Sequence, residues 1–116
     1  MLASGISPFQ GILLEAIGTF ILTVSALFAS AQIKNRRYQA LLVGSTLFVL
    51  ILVMGSLTGA SLNPARSLGP SLASGYLQNL YVYFVGPLMG AAIAGLVFRR
   101  IRNERSKRNL DIVCLC

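Results

Sequence analysis

Charge is scarce in this sequence. Only 11% of its 116 residues are charged, against roughly 25% in an ordinary soluble domain. Acids are scarcer still, with Glu15, Glu104 and Asp111 the only three. Too few polar groups exist to cover a surface in water. Histidine is absent, and the two cysteines, Cys114 and Cys116, stand at the very end. That composition gives no basis for a zinc site, a Cys–His nucleophile pair or a disulfide framework. No nucleophile–base pair is present either, so the chain is not expected to be an enzyme and no cofactor or metal is expected. The ending Cys-Leu-Cys does not match the four-residue prenylation box. No basic stretch precedes the first apolar run, so no cleaved leader is expected.

What the chain has is apolar length. Hydrophobic residues make up 55% of it, gathered into three runs at about 11–33, 40–57 and 80–98. Each is long enough to cross a bilayer, which takes roughly 20 residues. The net charge of +7 would fit a nucleic-acid partner in a soluble protein, but its placement does not. Lys34, Arg36 and Arg37 fill the gap between the first two runs. Arg99, Arg100, Arg102, Arg105, Lys107 and Arg108 follow the third. Basic residues flanking apolar segments fix membrane orientation and touch anionic headgroups, so the partner is the lipid bilayer and no nucleic acid is expected. The connector and the tail then face the cytoplasm. Residues 1–10 become an extracellular lead-in loop, and residues 101–116 a basic cytoplasmic tail whose last eight positions are expected to be disordered. The expected location is the cell membrane, multi-pass, with the N-terminus outside.

The third run carries Gly86, Gly90 and Gly95, with alanines between them. Small residues at this spacing let helix backbones approach closely, as tight bundle packing or simple helix pairing would require. Pro87 is tolerable near the outer end of a membrane helix. Between the second and third runs lies a stretch from Ser56 to Ser74, too apolar for a loop in water and too rich in Gly and Pro for a full crossing. Irregular backbone at membrane depth is tolerated where it is buried in protein or lines a watery cavity, so this stretch is expected to dip back into the bilayer. Asn63 suits a helix N-cap and Pro64 the first helical position. A half-helix over about 64–73 follows, its positive dipole end near mid-membrane, where it disfavours cations. The lone Arg66 is costly there unless it faces a cavity or a partner. Glu15, near one end of the first run, suits either a buried role or the outer water boundary.

Asn63-Pro64-Ala65-Arg66, preceded by Ser-Leu-Thr-Gly-Ala-Ser-Leu and followed by Ser-Leu-Gly-Pro, closely resembles the second signature loop of the aquaporins. The resemblance extends to Glu15-Ala-Ile-Gly-Thr-Phe and Gly86-Pro-Leu-Met-Gly-Ala, and so covers about residues 11–100. It implies an all-α membrane fold of three transmembrane helices and one re-entrant half-helix, one inverted repeat of a six-span bundle. It also implies roles. Asn63 would donate hydrogen bonds to passing water at mid-pore. Arg66 would line the outer constriction and repel cations. Glu15 would accept hydrogen bonds from the loop backbone. Ile51, twelve before Asn63, and Ala60, three before it, would be filter positions.

Strict water channels of the family commonly carry His where this chain has Ile51. Many glycerol channels carry Asp directly after the motif Arg, where this chain has Ser67. A basic residue also common in them is replaced here by Ser71. The resemblance therefore implies a passive channel for water and small neutral solutes such as glycerol or metalloid acids. The family's pore joins two such repeats, and one is found here. The expectation is a half-unit needing a complementary first-half chain or homo-oligomer. The alternative is a truncated, non-conducting membrane remnant or assembly element.

Overall fold

The computed structural model describes the backbone of residues 2–114 and the side chains of residues 2–105. Every regular element among them is a helix: α1 Pro8–Gln32, α2 Arg36–Thr58, α3 Pro64–Ser74 and α4 Val82–Cys114. α1, α2 and the Val82–Arg105 part of α4 are each long and apolar enough to cross a membrane. The protein is thus an all-α, multi-pass membrane protein.

Local sequence sets each boundary. α1 begins at Pro8, three residues before the apolar run, because Ser7 and Gln10 form a capping box. The Ser7 hydroxyl accepts from the Gln10 amide at 3.3 Å, and the Gln10 side chain accepts from the Ser7 amide at 2.9 Å. Asn35 caps α2 by accepting from the Arg37 amide at 2.9 Å, so α2 begins at Arg36 and takes in the basic connector. α2 ends where Gly59 turns left-handed at φ 83°. Its Leu57 carbonyl, left without a helical partner, accepts from the Ala3 amide at 2.9 Å and draws the N-terminal lead-in against that end. At 1.5 Å per residue α4 is about 50 Å long, well beyond a ~30 Å hydrocarbon core. Its basic end therefore continues as helix where the sequence led us to expect a disordered tail from residue 109. That helix runs through Cys114; Leu115 and Cys116 lie outside the described residues, as do the side chains of Lys107 and Arg108.

α1 is the central element, with α4 against one side, α2 against another, and α3 resting on α4. α1 and α4 approach so closely that side chains are excluded at the crossing. A Cβ at Gly86 would lie 2.7 Å from the Glu15 Cβ and 2.9 Å from the Ile12 carbonyl oxygen. One at Gly90 would collide with the Ala16 carbonyl. Gly95, five residues beyond Gly90 and so off the packed face, meets nothing within 4 Å. The α4 face turned inward is Tyr83, Gly86, Pro87, Gly90 and Ala94, all buried and on one side of the helix. Phe48, Leu52, Val53 and Leu96 are more than 60% exposed, as expected of residues that meet lipid or another part of the bundle.

Because Gly90 lies against backbone that cannot move aside, Gly90→Leu should cost about 1–3 kcal/mol. Gly95→Leu should be tolerated. Thermal unfolding of both variants in the same detergent checks the contrast.

Candidate functional site

The chain leaves α2 through a backbone that few side chains accept. Gly59, Ala60 and Leu62 all have positive φ, at 83°, 44° and 55°. Such conformations cost of order 1–3 kcal/mol at each non-glycine residue and persist only when their surroundings over-determine them. Glu15, fully buried in α1, supplies that constraint. One carboxylate oxygen accepts from the Thr58 hydroxyl at 2.7 Å and the Ser61 amide at 3.1 Å; the other accepts from the Leu62 amide at 2.7 Å. Thr58 links helix to loop, since its hydroxyl oxygen also accepts from the Ala60 amide at 3.2 Å. The Tyr83 hydroxyl of α4 donates to the Thr58 carbonyl at 2.8 Å. Three helices thus converge on one turn of loop. Bonds to a charged group in a dry site are the strong kind, roughly 1.5–3 kcal/mol each. Together they exceed the backbone strain.

With its amides turned toward Glu15, the loop has its carbonyls to spare. Among the described residues, none donates to the carbonyls of Gly59, Ala60, Ser61 or Leu62. The loop ends at Asn63, whose side-chain oxygen caps α3 by accepting from the Ala65 amide at 2.9 Å. That bond assigns the other half of the amide, its NH2 group, to the exposed side. The Ser61 hydroxyl donates to the Asn63 carbonyl at 2.8 Å and accepts from the Ser67 hydroxyl at 2.6 Å, fastening the first turn of α3 to the loop. Pro70 lies within α3, and Gly75 closes the helix at φ 69°. No residue of α3 is buried. Arg66, exposed and in the first helical turn, opens onto a polar cleft of about 340 Å³ shared with Ser61, Ser67, Ser71, Tyr76 and Tyr83. A cation in the first turn works against the helix dipole.

A model of the major intrinsic protein family matches residues 1–98. This chain belongs to that family. It is 45% identical over 106 residues to Aquaporin TIP4-1 of Zea mays, covering 86% of this chain and 40% of that protein. To the probable aquaporin TIP2-2 of Oryza sativa subsp. japonica it is 40% identical over 101 residues, covering 84% and 41%. To Aquaporin-1 of Rhizophagus irregularis it is 35% identical over 116 residues, covering 99% and 41%. The chain therefore spans about two fifths of the length of the curated relatives it matches. These relatives are all named aquaporins.

In this major intrinsic protein chain the motif residues Asn63, Pro64, Ala65 and Arg66 stand together at the start of α3, and Glu15 lies behind the loop that leads to them. Ile51 is 37% exposed on α2. It follows Leu50, one step round from the buried stripe Leu50, Met54 and Thr58. Ala60 is fully buried and belongs to an apolar cluster with Leu50, Met54 and Leu62, and no described residue donates to its carbonyl. Thr58, Ser61 and Tyr83 are not among the site residues that the sequence indicates, and Ser67 figures there only as a departure from the glycerol channels. Tyr83 carried a usable signal, standing three residues before Gly86 and so on the same helix face.

Glu15→Gln replaces one acceptor oxygen with a donor that faces donors. We expect it to lower stability by about 1.5–3 kcal/mol, the worth of one charged hydrogen bond. Thr58→Val should lose a similar amount by taking the hydroxyl from both Glu15 and the Ala60 amide. Unfolding of the two variants in detergent measures both.

Proposed function

We propose that this chain is one half of a passive channel for water and small neutral solutes, conducting when joined to a complementary half. The single observation that carries the reading is the Glu15 tether. It turns the amides of Ser61 and Leu62 inward, which leaves a row of carbonyls and the Asn63 NH2 group for a passing molecule. Acceptors in series followed by a donor hand a water along while fixing its orientation. A water that donates to the carbonyls and accepts from Asn63 cannot also sustain a proton chain. α3 has 11 residues and so spans about 17 Å, roughly half of a ~30 Å core. Dipping in from one side, it would bring its positive end to mid-membrane. Arg66 adds fixed positive charge in the same first turn. Both oppose cations, and both leave neutral solutes free to pass.

Ile51 makes one wall apolar and gives it no hydrogen-bonding group. A passage so lined suits glycerol-sized and metalloid solutes as well as water. Because α3 leaves no residue buried and α2 is largely uncovered, the passage needs a second wall, which the complementary half would supply. For orientation, the ends of α1 and α4 support a common side for the basic segments. Ser30 and Ala31, just before the basic connector, share a cleft with Arg99 and Arg102. We place that end in the cytoplasm and the N-terminal lead-in on the opposite side.

Stopped-flow swelling of vesicles tests the proposal. Vesicles holding this chain with a complementary first-half polypeptide should shrink and swell faster than protein-free ones; this chain alone should not. In the joined channel, Asn63→Asp should slow water flux about tenfold, equivalent to about 1.4 kcal/mol of barrier. Ile51→His should exclude glycerol while passing water. Failure to conduct with any first half would mark the chain as a non-conducting remnant or assembly element. Conduction by this chain alone would refute the half-unit.

A further inference from the structure

The basic end of the bundle holds a second cleft, remote from the loop. α1 and α4 are pressed together at Gly86 and Gly90, and Ala94 on the same face is fully buried. Nearer the basic end a cleft lies between them. Gly95 has nothing within 4 Å of where its Cβ would lie, and the space between the helices opens into a wedge of about 400 Å³. Its walls are Leu27 and Ala31 of α1 and Phe98 of α4, and its mouth carries Ser30, Arg99 and Arg102.

The charge at the mouth is unanswered. Arg99 and Arg102 are three apart on one helix and so project from the same side, where like charges repel. No acidic residue lines the cleft. Among the described residues neither guanidinium forms an ion pair or a hydrogen bond, although the last carbonyls of α1 stand at the same end. The Ser30 hydroxyl donates to the Leu27 carbonyl at 2.9 Å, so only its oxygen remains to meet a ligand. The end of α1 is closed without arginine: the Ile33 amide donates to the Ala29 carbonyl at 3.0 Å, and the Gln39 side chain donates to the Ile33 carbonyl at 2.6 Å. Capping the helix is therefore not what the two arginines do.

We infer that this wedge is a binding site for one anionic phospholipid, its headgroup phosphate held by Arg99 and Arg102 and the start of an acyl chain laid against Leu27, Ala31 and Phe98. Two guanidiniums on one face present the forked donors that phosphate oxygens accept. The arginines follow directly on the apolar stretch of α4, at the depth where headgroups lie. An apolar floor below a charged mouth fits a lipid and not a soluble anion, which would leave that floor wet. The inference rests on the helices crossing a bilayer, and it is independent of whether the chain conducts.

Native mass spectrometry of the full chain, released from detergent with dioleoyl-phosphatidylglycerol or dioleoyl-phosphatidylcholine, tests it. The wild-type chain should retain one phosphatidylglycerol at least tenfold more tightly than phosphatidylcholine. Arg99→Ala with Arg102→Ala should abolish that preference. Arg36→Ala with Arg37→Ala, which removes the same charge outside the wedge, should keep it. Gly95→Leu, which fills the wedge and keeps every charge, should weaken retention about tenfold. Millimolar inorganic phosphate should leave the bound lipid in place. Equal loss in the two double-arginine variants would reduce the effect to diffuse charge and overturn the site. Full retention in Gly95→Leu, or displacement by phosphate, would overturn the lipid-shaped wedge.

Discussion

One buried carboxylate organises the functional end of this chain. Glu15 is a charge inside an apolar bundle, a placement that is costly unless strong donors surround it. The donors it has are a hydroxyl at the end of α2 and two amides of the following loop. The same bonds that stabilise the charge force the loop into its left-handed turns. Glu15 sits against Gly86, where a side chain would strike its Cβ. The tight α1–α4 crossing and the loop geometry are thus one arrangement. No buried side-chain nitrogen or oxygen among the described residues lacks a partner, so the polar network at the heart of the bundle is complete.

From this follows a division of the loop into two faces. The amides of Ser61 and Leu62 are taken up by Glu15, while the carbonyls of Gly59, Ala60, Ser61 and Leu62 receive no donor among the described residues. The Asn63 side chain repeats the pattern at the loop's end, its oxygen spent on the helix cap and its NH2 group left over. The arrangement presents fixed hydrogen-bonding groups at low reorganisation cost, the property on which the proposed passage relies.

Much of this was legible where the signal is local. The three apolar runs overlap the spanning helices, and Asn63-Pro64 marked the start of α3 because capping depends on adjacent residues. Boundaries set by polar caps outside the runs, at Ser7 and Asn35, were missed by three or four residues because hydropathy does not register them. The Thr58 and Tyr83 contacts were not legible. Each bond joins positions 25 to 43 apart in the chain, and a hydroxyl in an apolar run looks the same whether it anchors a network or faces its own helix. Ala60, a filter position by resemblance, is packed in the apolar cluster of this chain, which its spacing from Asn63 does not reveal. Gly86 and Gly90, four apart, share the packed face of α4, whereas Gly95, five further on, leaves that face and lines the cleft.

Amide hydrogen exchange at Ser61 and Leu62 tests the central claim most directly. In the wild-type chain both amides should exchange as slowly as those in the middle of α1. In a Glu15→Ala variant they should exchange far faster while the spanning helices stay protected. Fast exchange at both positions in the wild type, or slow exchange that persists without the carboxylate, would contradict the account.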